Sequence, residues 1–178
     1  MKERPNLNEL AKEIHNDNKL KGFHDVDWSD EHCLMLAICE LCEAIEADRH
    51  SIRADVEEFN NNYYKNDFEN AYIDCIVGSI DEELADFVIR LLDLAGKRNF
   101  NILNMEIRSN FIGLSFNECM YVVTEHIARS DKFTLHRVQY GIYAIENICK
   151  LLNIDLWLHV SLKLKYNKTR PYKHGKEY

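Results

Sequence analysis

Residues 79–96 read SIDEELADFVIRLLDLAG, a stretch that predicts a helix with apolar residues on two sides and acidic residues along one edge. Ser79 and Glu82 have the spacing of a capping box, which marks a helix start, and the final glycine is typical of a helix end. Glu83 and Asp86 are three residues apart, so on a helix their carboxylates project from one face. Because apolar residues border them, we expect these acids at the edge of buried surface, where a carboxylate needs a partner or a metal ion.

A second acidic pair precedes this stretch, at residues 40–43 (ELCE). Glu40 and Glu43 have the same spacing, and Glu40 interrupts an apolar stripe that should be core. Two such helices side by side would bring four carboxylates together, and these would repel one another and hold protons unless a cation neutralised them. Hard oxygen ligands of this kind suit Mg²⁺ or Mn²⁺. We therefore predict a divalent-cation site made of Glu40, Glu43, Glu83 and Asp86; ordinary solvated helix faces are the alternative.

The length and composition predict a single all-α domain of 178 residues, with two small domains in close contact as the alternative. Hydrophobic residues make up 46% of the chain, enough for a core, and only two prolines and six glycines favour long helices. No alternating strand pattern persists, and residues 97–114 are compatible with helix, strand or loop. The predicted helices span about residues 6–21, 29–49, 68–77, 79–96, 115–129, 134–152 and 155–167, with a short one within 51–67.

Charge and cysteine content argue against several classes of function. Thirty acidic against 22 basic residues give a net charge of −8, which disfavours a general nucleic-acid or membrane-surface binder. No apolar run reaches membrane length and no signal-peptide core follows the N-terminus, so a cytoplasmic location is expected. Cys39 and Cys42 have CxxC spacing, but they lie in a helical segment without a second CxxC, so a zinc site is not expected.

The two acidic pairs, their order and the end of the chain resemble the all-α nucleoside triphosphate pyrophosphohydrolases, the MazG-like superfamily. That family carries ExxE on one helix and ExxD on a later one. The chain is also similar to one branch of the family at residues 21–23 (KGF), 43–49 (EAIEADR), 86–96 (DFVIRLLDLAG) and 166–176 (YNKTRPYKHGK). Two departures are Cys39, where many relatives have another acid, and His24, where many have tryptophan. The first bears on the number of metal ions and the second on the wall of the base pocket.

The resemblance implies a homo-oligomeric enzyme, at least a dimer, that hydrolyses a (deoxy)nucleoside triphosphate to the monophosphate and pyrophosphate. Its role would be housekeeping of the nucleotide pool. The resemblance also implies that Mg²⁺ or Mn²⁺ on the four carboxylates binds the phosphates, while Glu40 or Glu43 orients the attacking water. The residues predicted to bind substrate are Lys163, Asn167, Arg170, Lys173 and Trp28.

Several of these residues have a second interpretation. Trp28 is predicted to stack on the base, and core packing explains it equally well. The basic C-terminal stretch has a solvated tail as its alternative. His24 is expected at the surface or behind the ligands, and Arg90 is expected to pair with Asp86 or Asp93 on its own helix.

Other classes of function differ in the motifs they need. A di-iron bundle requires Glu-x-x-His, and none of the eight histidines has a glutamate three residues before it. The C-terminal motif resembles the branch described above rather than the phosphoribosyl-ATP pyrophosphohydrolases. A non-catalytic helical protein that binds nucleotides or a partner is the alternative function.

Residues 97–152 have no counterpart in compact members of that branch. They are predicted to be either an unrelated helical insertion or a degenerate repeat of the first half that lost its metal site. In the repeat register Glu43 corresponds to Ala128, and Glu83 corresponds to Arg137. A repeat predicts that the helices of this segment superpose on the helices that carry the acidic pairs.

Overall fold

The computed structural model describes residues 1–63, 67–103, 111–175 and 177. Across these ranges the chain forms eight α-helices and no strand, which confirms the all-α prediction. In chain order they are α1 (Leu7–Leu20), α2 (Asp30–Arg49), α3 (Val56–Tyr63), α4 (Phe68–Cys75), α5 (Ile80–Lys97), α6 (Phe116–Ala128), α7 (Thr134–Leu151) and α8 (Leu156–Thr169). None of the helices described is both long and apolar enough to cross a membrane.

Side-chain caps begin several helices where the sequence predicts them. Ser29 accepts a hydrogen bond from a backbone N–H in the first turn of α2, and Ser115 and Glu118 form the predicted capping box of α6. The predicted cap at Thr134 is wrong. Phe133 has the extended backbone of an N-cap residue and makes no side-chain cap hydrogen bond, so Thr134 is already helical.

Only half of the predicted capping box forms at the start of α5. Ser79 Oγ accepts from the backbone N–H of Glu82 at 3.2 Å. The Glu82 carboxylate accepts instead from the backbone N–H of Gly78 at 2.6 Å and from the side chains of Tyr72 and Lys163. Glu82 is only 2% exposed, so its charge needs these donors because water cannot reach it.

The central helix of the fold is α5. Fourteen of its 18 residues are buried, and it packs against α1, α2, α7 and α8. Gly96 permits close contact with α1, because an added Cβ would lie 2.3 Å from the carbonyl oxygen of Ala11. Gly141 does the same for α7, where a Cβ would meet the side chains of Leu91 and Ile127. The acidic edge of α5 therefore lies within the helical bundle.

The helices of the extra segment share the main core with the first half. Buried side chains of α6 and α7, such as Met120 and Ile142, belong to the same hydrophobic cluster as those of α2 and α5. The helix α6 packs against α2 and α7, and α7 packs against α5. A degenerate repeat would also pack its helices in pairs, so these contacts are compatible with one. The test of a repeat is the superposition of the two halves, and the repeat therefore stays a prediction. Residues 104–110, within the stretch left open by the sequence, lie outside the described ranges.

A smaller core holds α3 and α4 against α8. Phe59, Phe68 and Tyr72 are buried in it, and the ring of Tyr72 stacks on that of Tyr166, with centres 4.5 Å apart. This contact brings the loop after α4 and one face of α8 alongside α5, where both line the same cavity.

Candidate active site

The acidic residues of α2 and α5 face a cavity of about 400 Å³. Helix α8, the loop between α1 and α2, and the C-terminal turn also contribute to its lining. The predicted site residues that it brings together are Glu40, Glu43, Glu83, Asp86, Lys163, Asn167, Arg170 and Trp28. Lys173 lies outside this lining, and its Nζ donates to the backbone carbonyl of Glu177 at 3.1 Å.

Three of the four predicted carboxylates approach one another closely. One oxygen from each of Glu40, Glu43 and Glu83 lies within 4.8 Å of the others, and these three residues are called the acidic cluster below. Glu40 and Glu83 are 6% and 7% exposed, whereas Glu43 is exposed. The solvated-face alternative is therefore wrong for Glu40 and Glu83, and their charges lie where solvation is poor.

This crowding shifts the protonation equilibria of the cluster. Burial, together with the charges of Asp86 and Glu82, raises the pKa of Glu83 from 4.5 to about 8. Burial and the charge of Asp86 also raise the pKa of Glu40, although Arg90 acts in the opposite direction. Without a cation, the cluster therefore favours the protonated form of at least Glu83 near neutral pH.

The fourth predicted carboxylate, Asp86, is paired with a lysine. Its Oδ2 lies 2.6 Å from the Nζ of Lys163, which also donates to Glu82 Oε1 at 2.5 Å. Burial alone would lower the pKa of the Lys163 amine, but the charges of Asp86 and Glu82 raise it above its ordinary value. Lys163 is therefore a permanent cation at the edge of the acidic cluster.

Arg90 supplies a second permanent cation from α5. Its Nε donates to Glu40 Oε1 at 2.8 Å, so the predicted pairing with Asp86 or Asp93 is wrong. Arg90 lies seven residues after Glu83, two turns along the same face of α5, and that face is turned towards α2. Asp86 and Asp93 lie nearby but have other partners, Lys163 for Asp86 and the histidines for Asp93, so Arg90 pairs with the carboxylate of α2.

At another part of the cavity, two histidines surround Asp93. The carboxylate accepts a hydrogen bond from Asn18 Nδ2 at 2.9 Å and faces ring nitrogens of His15 and His24 at 3.2 and 2.8 Å. Burial alone would raise the pKa of Asp93, but the contacts with His15 and His24 hold it below its ordinary value. The His24 side chain is only 11% exposed, so of its two expected positions the one at the surface is wrong. Nearby, the ring of Trp28 stacks on that of His32, with centres 4.3 Å apart. This contact agrees with both interpretations of Trp28, base stacking and core packing, so both stay predictions.

Three buried polar atoms on the cavity lining have no hydrogen-bond partner among the described residues. They are His24 Nδ1, Asn167 Oδ1 and His174 Nε2. Burial and the charges of Arg170 and Lys21 lower the pKa of His174 to about 4, so this ring is neutral at physiological pH. Buried polar groups in proteins are normally satisfied, and unsatisfied ones on a cavity lining suit a polar ligand.

Several lining residues are absent from the predicted site, among them Glu82, Asp93 and His174. Asp93 lies seven residues after Asp86, so the polar stripe of α5 was a signal that could have found it. Glu82 was predicted to belong to a local capping box, and that pattern gives no indication of its contacts with Tyr72 and Lys163. The position of His174 depends on how the C-terminal stretch folds back, and no local pattern specifies that.

Comparisons of the chain with protein-family models, with curated proteins and with solved structures found no match. The site is therefore defined by its own geometry. It is a cavity inside a helical bundle, with a buried acidic cluster and flanking cations. The bundle type implied by the sequence resemblance stays a prediction.

Proposed function

We propose that the protein is a metal-dependent hydrolase that converts a (deoxy)nucleoside triphosphate to the monophosphate and pyrophosphate. The observation that carries this proposal is the clustering of Glu40, Glu43 and Glu83 in a cavity that Lys163 and Arg170 also line. Carboxylates attract a divalent cation, whereas lysine and arginine favour phosphate oxygens. A polyphosphate with its metal ion needs both kinds of group in one cavity.

The acidic cluster fits Mg²⁺ or Mn²⁺. All its donors are carboxylate oxygens, which hard cations prefer. Two of the three glutamates are buried, and only Glu40 has an ion-pair partner among the described residues. Glu40, Glu43 and Glu83 would hold the ion, and Asp86 would join them once Lys163 releases it. When bound, a divalent cation would neutralise phosphate charge and lower the pKa of a water molecule.

The two glutamates of α2 have different surroundings, which suggests different roles. Arg90 engages one oxygen of Glu40, whereas Glu43 is exposed to the cavity and makes no ion pair with a described residue. We assign to Glu43 the task of orienting the attacking water and accepting its proton. Lys163 and Arg170 would hold the phosphates of the leaving pyrophosphate, and Trp28 would offer its ring to the base.

The test is a panel of deoxy- and ribonucleoside triphosphates with Mg²⁺, scored separately for pyrophosphate and orthophosphate. We expect pyrophosphate and monophosphate from at least one nucleotide, and only with a divalent cation. Glu43→Gln should abolish turnover. The matched control is Glu46→Gln, on the same helix, whose exposed carboxylate pairs with Arg49 and His50 and should be dispensable.

Two results would contradict the proposal. Release of orthophosphate with a diphosphate would place the cleaved bond elsewhere, and normal turnover by Glu43→Gln would remove Glu43 from the chemistry. Nucleotide binding without any turnover would support the non-catalytic alternative.

A further inference from the structure

Lys163 lies between two carboxylates of α5 that have unequal surroundings. Its Nζ is 2.5 Å from Glu82 and 2.6 Å from Asp86. The Glu82 side chain is 2% exposed, whereas that of Asp86 is 17% exposed and lines the cavity with the acidic cluster. The amine thus bridges one enclosed and one accessible carboxylate.

Glu82 is held rigidly by its other contacts. Its Oε1 also accepts from the hydroxyl of Tyr72 at 3.1 Å, and its Oε2 accepts from the backbone N–H of Gly78 at 2.6 Å. The ring of Tyr72 is in turn stacked on Tyr166 of α8. Asp86 has Lys163 as its ion-pair partner within the described residues. If the bridge opens, it should open on the side of Asp86.

Asp86 also lies on the face of α5 that carries Glu83. Residues three apart on a helix are neighbours, and the charge of Asp86 is the largest electrostatic contribution to the raised pKa of Glu83. A cation held by Glu83 would therefore be close to Asp86. A lysine ammonium and a divalent cation repel each other, so a cation bound at Asp86 would weaken the contact between Asp86 and Lys163.

We propose that Lys163 is a counter-ion of Asp86 that a divalent cation displaces, and that Glu82 is the positioning residue that retains the displaced amine beside the phosphates. This inference rests on the proposed metal site. It gives Glu82 a role distinct from that of its neighbour Glu83, because Glu82 holds the lysine rather than the metal ion. The amine stays charged throughout and exchanges one of its two carboxylate partners for a phosphate oxygen.

The inference predicts opposite effects of one substitution on two ligands. In Lys163→Met no ammonium has to leave Asp86, so Mn²⁺ without nucleotide should bind about tenfold more tightly, equivalent to about 1.4 kcal/mol. The nucleotide loses a phosphate contact, so its KM should rise. If Lys163 had only a structural role, its substitution would weaken the binding of both Mn²⁺ and the nucleotide.

The experiment measures Mn²⁺ binding by electron paramagnetic resonance on the full chain, without nucleotide. Arg170→Met is the matched control, because Arg170 lines the same cavity but contacts none of the acidic cluster. If tightening came from removal of any nearby positive charge, Arg170→Met would reproduce it, and the inference would be wrong. If Lys163→Met does not fold, Lys163→Gln replaces it, since glutamine can donate to Glu82 without a charge.

The outcomes separate this inference from the proposed function. If the wild type does not bind Mn²⁺, or Glu43→Gln binds it equally well, the proposed metal site fails and this inference fails with it. If the wild type binds Mn²⁺ through Glu43 but Lys163→Met binds it no more tightly, only the displacement of Lys163 is refuted. Tighter Mn²⁺ binding together with a higher KM supports the inference.

Discussion

Glu83 should destabilise the folded protein at neutral and alkaline pH when no divalent cation is present. Its pKa is about 8 in the folded protein against an ordinary value of 4.5, so the unfolded chain releases this proton at lower pH than the folded chain. Stability therefore falls as pH rises from about 4.5 to about 8, and above that range the whole penalty is present. Each pKa unit corresponds to about 1.4 kcal/mol, and with allowance for solvent screening at the cavity we expect about 2 kcal/mol in total.

Glu83→Gln removes this penalty, because glutamine has a similar shape and no charge at any pH. In chelator we expect the variant to be about 2 kcal/mol more stable than the wild type near pH 8.5 and about equally stable near pH 4.5. The neighbouring Glu82→Gln is the matched control with the opposite sign. Its carboxylate accepts from Lys163, Tyr72 and the backbone of Gly78, so the loss of charge should destabilise the fold by about 2 kcal/mol.

The assay is urea unfolding followed by circular dichroism across this pH range, with chelator and then with Mg²⁺. Mg²⁺ should stabilise the wild type above pH 7, since it binds the folded state, and should stabilise Glu83→Gln less. A Glu83→Gln variant less stable than the wild type near pH 8.5 in chelator would refute the reasoning. The second refuting result would be a difference in the free energy of unfolding between the wild type and Glu83→Gln that does not change with pH. Taking this difference removes the contribution of the other titrating groups, which the two proteins share.

The remaining predictions concern packing and ligand contact. Gly96→Ala should lower the free energy of unfolding by about 1–3 kcal/mol, because its Cβ would meet the carbonyl of Ala11; thermal melting checks this, and an unchanged melting temperature would contradict the close contact. Asn167→Ala should leave the melting temperature unchanged, since Asn167 Oδ1 has no partner among the described residues, but should raise the KM for the nucleotide. A lower melting temperature with an unchanged KM would make Asn167 structural.

Local sequence signals were sufficient for the helices that carry the site. Ser29 and Ser79 cap α2 and α5 as predicted, because an N-cap hydrogen bond spans only three residues and depends little on the rest of the fold. The i,i+3 spacing likewise fixes which side chains share a helix face. The convergence of Glu40, Glu43 and Glu83 followed from these two facts and from the lateral packing of the two helices.

The charge partners of the cluster could not be predicted in the same way. Arg90 pairs with a glutamate 50 positions away, and Lys163 pairs with Glu82 from 81 positions away. Such pairs depend on the rotation and axial shift of one helix against another, which no pattern within a helix specifies. The prediction for Arg90 failed because same-helix spacing offered Asp86 and Asp93, whereas the packing of α5 turned its guanidinium towards α2.

The balance of charge in the cavity bears on how a polyphosphate could enter it. Among the described lining residues, carboxylates outnumber lysine and arginine; the acids are Glu40, Glu43, Glu82, Glu83, Asp86 and Asp93, and the permanent cations are Arg90, Lys163 and Arg170. Two of those cations are already paired, Arg90 with Glu40 and Lys163 with Asp86. A nucleoside triphosphate, which adds about four negative charges, would be repelled by such a surface. One divalent cation on the cluster would offset only part of this excess negative charge, so the proposed nucleotide substrate should arrive with a metal ion of its own.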